Sequence, residues 1–179
     1  MTTYIAFLKG INLGKRNVKS DELKSIFSDA GLENVQTVIA SGNVIFESKE
    51  KDEAKLTKKI EKALKDKLGY EVVVFLRSKA ELEKVLDKNP FKNAEKGTCY
   101  ISFLTDKPAK SAVKEIEDRS SDTEIFKFTG REMYMLFHVM MSESQFFKKP
   151  DHEKVLGVQA TNRKINTPVI ILEKMKTAK

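Results

Sequence analysis

YIAFL at residues 4–8 returns as YISFL at residues 100–104, and this pair decides the fold. Each is a short run of β-branched and aromatic residues, the composition of a strand. The elements after each run come in the same order. After the first, Ser20 as N-cap, Asp21 and Glu22 in the first turn and Gly31 past the end predict a helix with the apolar stripe Leu23, Ile26, Phe27 and Ala30. VQTVIA (35–40) and NVIFES (43–48) read as a hairpin through Ser41-Gly42. A second helix is predicted over 52–68, with Leu56, Ile60, Ala63, Leu64 and the stem of Lys67 on one face and Gly69 as its stop. EVVVFL (71–76) is a buried-type strand, and Ser78-x-x-Glu81 is a capping box opening a helix that ends before Pro90.

After YISFL, Pro108, Ala109, Ala112, Val113 and Ile116 carry helix signals, and TEIFKF (123–128) and EMYMLF (132–137) flank Thr129-Gly130 as a second hairpin. Ser142-x-x-Gln145 is another capping box. Counting 30 residues on from Gly42 and from Gly130 reaches Val72 and Ala160, so VQATNR fills the closing strand slot. Asn166-Thr167-Pro168 reads as a cap with Pro at N1 of a trailing helix to Lys176, although VIIL within it also suits a strand. The expected fold is α+β: a duplicated ferredoxin-like α/β plait, two βαββαβ subdomains at 1–90 and 91–179. Each has a trailing helix and buries one sheet face under two helices.

Composition bounds the function classes. At 179 residues and 40% hydrophobic the chain can bury a core. No stretch reaches the roughly 18–20 apolar residues of a membrane span, and MTTYIAFLKGIN lacks the pattern of a signal peptide, so a cytoplasmic protein with no membrane partner is expected. The single Cys99 lies in the apolar run CYISFL and reads as a buried, inert thiol; with His138 and His152 far apart in sequence, no zinc-ligand spacing exists and no metal is expected. The sequence assigns no cofactor. Of the 33 basic residues only five are arginine, so the net charge of +7 is mostly solvated lysine rather than the arginine forks that read phosphates and base edges.

The two halves differ after their first strands. Residues 9–19 join strand to helix in one half and 105–107 in the other, an excess of eight residues placed where binding loops are placed. The longer loop holds Lys9, Gly10, Asn12, Gly14, Lys15, Arg16 and Lys19 and no acid. Gly10 to Arg16 has one residue too few between its glycines for a P-loop and an arginine where the hydroxyl belongs, and it is not G-x-G-x-x-G either. A generic anion-binding concavity at a helix N-terminus remains, against a purely structural loop whose glycines supply positive φ. A second polar segment, Thr161 to Thr167, puts Arg163, amides and hydroxyls before the last helix, chemistry for a carboxylate or phosphate, or else for helix capping and an ion pair.

Three motifs stand in order: G-I-N-x-G at Gly10, Ile11, Asn12 and Gly14; S-G-N-V-x-F at Ser41, Gly42, Asn43 and Phe46; and T-x-R-x-x-N-T at Thr161, Arg163, Asn166 and Thr167. Together they resemble the uncharacterised bacterial family called domain of unknown function 1697. The resemblance implies the duplicated plait and brings no established activity. The family usually carries a further glycine after G-I-N-V-G and an aromatic after R-N, whereas here Lys15 follows Gly14 and Lys164-Ile165 stands in the latter place.

The favoured expectation is a binding module for a small anionic ligand. In it the 9–19 loop and the 161–167 segment meet, Asn12, Asn43 and Asn166 supply amide contacts, Arg163 holds the anion and Lys15 or Arg16 closes from the loop. Thr161 and Thr167 add hydroxyls. One alternative is an RNA- or single-strand-binding plait, but NVIFES offers only Phe46 for stacking and lacks an RNP1 pattern, so nucleic-acid binding is expected to be weak and non-specific. The other is an enzyme, for which no nucleophile–base pair is visible in sequence.

Overall fold

The computed structural model describes residues 1–12, 14, 16–39, 42–94, 96–140, 142–149 and 151–177. The chain runs β1 (Thr2–Lys9), α1 (Ser20–Asp29), β2 (Glu33–Thr37), β3 (Asn43–Ser48), α2 (Glu53–Leu68), β4 (Val73–Ser78), α3 (Lys79–Asp87), then β5 (Thr98–Leu104), α4 (Lys110–Glu117), β6 (Glu124–Thr129), β7 (Glu132–Phe137), α5 (Gln145–Lys148), α6 (His152–Leu156), β8 (Ala160–Lys164) and α7 (Asn166–Thr177). Two four-stranded antiparallel sheets result, ordered β2-β3-β1-β4 and β6-β7-β5-β8. This is the duplicated α+β plait. By contacts the chain divides into Met1–Lys84 with Val169–Lys179, and Val85–Pro168. The C-terminal helix thus groups with the first plait, where Lys79 Nζ donates to the Met175 carbonyl at 3.3 Å. VIIL lies within that helix, which settles the strand alternative.

Helix ends follow local chemistry. In α2 the Asp52 side chain accepts from Lys55 N–H at 3.0 Å, Leu56, Ile60 and Leu64 form the buried stripe, and Gly69 at φ 78° ends the helix. Lys67 lies outside that stripe: its amine is 3.8 Å from Asp29 and its side chain is exposed. The Ser78/Glu81 box closes both ways, Ser78 N–H to Glu81 at 2.8 Å and Glu81 N–H to Ser78 Oγ at 3.3 Å. Two expected caps shift. Ser20 is the first residue of α1, with Lys19 at the cap. At α5 the cap is Ser144, whose hydroxyl accepts from Phe147 N–H at 3.3 Å, rather than Ser142. The reason is the buried carboxylate of Glu124, which accepts from Gln145 N–H at 2.7 Å and Phe146 N–H at 3.2 Å and so fixes where that helix begins.

The first core lies between β1, β3 and β4 and the helices: Tyr4, Ala6, Leu8, Val44, Phe46, Val74 and Leu76 face Leu23, Ile26 and Phe27 of α1 and the α2 stripe. Phe46 anchors it, with ring centroids 5.7 Å from Tyr4 and 5.6 Å from Phe27. The intervening residues Ile5, Phe7, Ile45 and Phe75 are equally buried, so the sheet buries both faces, not the single face expected. Ile101, Phe103, Tyr134 and Leu136 repeat this in the second sheet. Edge strands are closed in the same way in both units. Glu61 of α2 accepts from Val74 N–H at 3.1 Å and Glu153 of α6 accepts from Ala160 N–H at 2.7 Å. Val74 lies opposite Leu8 as Ala160 lies opposite Leu104, so the two carboxylates guard one equivalent position.

Because Phe46 is wholly buried between two aromatic rings, Phe46→Ala is expected to cost about 3–5 kcal/mol. Denaturant unfolding of wild type and variant measures this, and a loss under about 1 kcal/mol would show that the first core is not organised around that ring.

Candidate functional site

At the end of β1 the chain turns through Gly10 at φ 85°, and Ile11 drops into the first core at 3% exposure. The first two sequence motifs meet here. Leu8 N–H donates to the Gly42 carbonyl at 2.7 Å, and a Cβ on Gly42 would lie 3.0 Å from the Leu8 oxygen and 3.2 Å from Ile11 Cγ2, at a φ of 93°. Glycine is required by both space and conformation. Asn43 is buried and its amide donates to the carbonyls of Val38 at 3.1 Å and Ile39 at 3.2 Å, bracing a turn in which Ile39 has φ 47°. The structure therefore gives Asn43 a bracing task.

The loop between β1 and α1 is 10–19, and its counterpart between β5 and α4 is 105–109. The excess is five residues rather than eight, because β1 runs through Lys9 and α4 starts at Lys110, after Pro108. The longer loop is fastened at three points. Asn12 Oδ1 accepts from Val18 N–H at 2.9 Å, the Tyr70 hydroxyl donates to the Ile11 carbonyl at 2.9 Å, and Arg16 Cζ stands 3.9 Å above the Tyr70 ring. Tyr70, from the turn between α2 and β4, is a part of this site that sequence reasoning missed; only its place just after Gly69 hinted at exposure. Gly14 is exposed at φ 63° with open space around it, Lys9 closes β1 opposite Val73, and Lys15 lies outside the described residues, as does Ser41. At the N-terminus of α1 the Lys19 side chain makes no cap hydrogen bond.

In the second unit, alternation along β8 puts Thr161 and Arg163 of the third motif on one face, with Asn162 and Lys164 on the other. Arg163 Nη1 donates to Thr161 Oγ1 at 2.8 Å and to the Asn162 carbonyl at 2.9 Å, and burial pushes its guanidinium down to about 10. Asn166 and Thr167 form the first turn of α7, one exposed and one half-buried. Arg163 has a sibling. Arg77 lies opposite Ile5 in the first sheet as Arg163 lies opposite Ile101 in the second, and its Nη1 also donates to the preceding carbonyl, Leu76, at 2.6 Å. At 1% exposure Arg77 is the largest buried side chain of the chain's described residues.

Groups weighed for catalysis lie elsewhere. Cys99 is half-buried beside Asn89, and burial pushes its thiol up to about 11, which leaves little thiolate at neutral pH. His138 is exposed after β7, and His152 stacks on Phe146 at 4.6 Å. Among the described residues no cluster of His, Cys, Asp or Glu is placed to hold a metal, and no helix is long and apolar enough to cross a membrane.

The pattern of the family described as "Protein of unknown function (DUF1697)" matches residues 1–134. The chain belongs to the DUF1697 family. That match takes in the first two motifs and ends at Tyr134, before β8 and the third. Among solved structures, the conserved bacterial protein SP0830 from Streptococcus pneumoniae is similar over 99% of both chains, with a TM-score of 0.76 at 21% identity. At that identity the likeness is one of fold. No curated protein matches the sequence. Within this DUF1697 chain, the G-I-N-x-G and S-G-N motifs are explained first as two loops locked together at Gly42.

Gly42→Ala is accordingly expected to lower the melting temperature well beyond Gly14→Ala, since both have positive φ but only Gly42 also lacks room for a Cβ. Thermal unfolding of the two variants compares them directly; equal losses would mean that Leu8 and Ile11 do not press on Gly42.

Proposed function

We propose that the chain is a binding module for a small anionic ligand and that the 10–19 loop of the first unit is its receptor. One observation carries the reading: Arg16 Cζ is held 3.9 Å over the Tyr70 ring, and among the described residues no carboxylate pairs with it. A cation–π contact attracts the guanidinium without an acceptor atom, so it places the fork while leaving N–H donors for a ligand. Asn12 has its oxygen engaged by Val18, and its amide nitrogen has no partner among the described residues, which offers a second donor from the same loop. The start of α1, where Lys19 supplies no side-chain cap, adds the positive end of a helix dipole. The fastenings matter energetically, because a loop already ordered loses less entropy when it binds.

A base-stacking reading gains nothing from the sheet, whose Phe46 is closed between Tyr4 and Phe27. Nucleic-acid binding on this account is a weak, salt-sensitive effect of surface lysines.

The test is a thermal-shift series with phosphate, pyrophosphate, nucleotides, sugar phosphates and carboxylates on wild type, Arg16→Ala and Arg163→Ala. A ligand at 100 times its Kd stabilises the folded chain by about 2.7 kcal/mol, a shift of several degrees in wild type that Arg16→Ala loses. The same series with Arg163→Ala reports whether Thr161, Arg163, Asn166 and Thr167 serve the same ligand. No shift in wild type with any anion, or an equal shift in Arg16→Ala, contradicts the proposal.

A further inference from the structure

The helix-facing side of the second sheet departs from the first at one rung. In the first unit that rung is Ala6 opposite Leu76, an apolar pair within the core under α2. In the second unit the same rung is Ser102 opposite Asn162. Ser102 has 0% exposure, and among the described residues neither its Oγ nor the buried Oδ1 of Asn162 has a hydrogen-bond partner. Directly opposite residues hold their Cβ atoms about 4.5–5.5 Å apart, a spacing at which a single atom can bridge two polar groups on the same face. Two buried polar groups without partners are costly side by side, and a fold retains such a pair where something satisfies both.

The cover over this rung has also changed. The 16-residue α2 of the first unit is replaced by α5 of four residues and α6 of five. One rung outward, Tyr100 lies opposite Lys164, the first half-buried and the second exposed, so the polar strip continues toward solvent. A cationic occupant would meet Lys164 on the same face; a neutral hydroxyl would not be opposed.

We propose that Ser102 and Asn162 form a built site for one hydroxyl group, which donates to Asn162 Oδ1 and bonds Ser102 Oγ. The chemistry is that of an O–H donor, and it has two sources: an ordered water, or the hydroxyl of a small polyol phosphate whose anionic end lies against Lys164. This site is independent of the 10–19 loop.

The full-length chain with Ser102→Ala, Asn162→Leu and both together, the pair copying the first unit's apolar rung, provides the test. Ser102→Ala is expected to lower the melting temperature by about 2–4 °C, because the occupant loses one of its two anchors. The double variant is expected to regain stability relative to Ser102→Ala, since no buried polar group is then left. A melting temperature unchanged or raised by Ser102→Ala alone overturns the proposal, as does a high-resolution crystal structure of wild type with no ordered atom between the two side chains. Titration with glycerol 3-phosphate separates the sources: a stabilisation of wild type absent from Ser102→Ala assigns the hydroxyl to the polyol, and no stabilisation, with the Ser102→Ala loss intact, assigns it to water.

Discussion

Each half of the molecule is organised by its first strand, which is paired on both edges and closed on both faces. Ile5, Ala6 and Phe7 of β1 have no exposed surface, and β3 and β4 pair on either side of them. Ile101, Ser102 and Phe103 hold the same position in β5 between β7 and β8. A strand in that position has no solvent face on which to carry polar residues, which is why YIAFL reads as a continuous apolar run and YISFL departs from one only at Ser102. The other elements are arranged outward from this strand. Helices cover one face, edge strands have N–H groups closed by Glu61 and Glu153, and change is confined to loops and single rungs.

The duplication acts as an internal control on what the plait needs. Glu61 with Glu153 and Arg77 with Arg163 are kept at matching register, which ties them to the architecture of each unit. The five-residue excess of the 10–19 loop and the exchange of an apolar rung for Ser102 and Asn162 have no counterpart in the other copy. Departures of this kind on a retained frame are where the physical case for binding is strongest.

Much of the fold was legible because its signals are local. The two hairpins, the Ser78/Glu81 box and Gly69 after α2 all act within a few residues of themselves. The illegible parts depend on distant partners. Ser144 rather than Ser142 caps α5 because Glu124 reaches it from β6, about 20 residues earlier. Arg77 escaped notice as the sibling of Arg163 because the helices between strands differ in length, so the two arginines do not share the spacing of Tyr4 and Tyr100. The candidate loop was visible as length and charge, but Asn12 and Asn43 look like ligand donors in sequence, and only the fold shows Asn12 tied to Val18 and Asn43 to Val38 and Ile39.

The described residues of the 10–19 loop form a built structure on the end of β1 rather than a tether between two elements. Native-state amide hydrogen exchange reads this residue by residue. Val18, whose N–H is held by Asn12 Oδ1 at 2.9 Å, should exchange well below the rate of an unstructured amide and lose that protection in Asn12→Ala. Amides of Ile5 to Phe7 should be among the slowest of the first unit in both proteins. Exchange of Val18 at the unprotected rate in wild type, or equal protection in Asn12→Ala, would contradict the account.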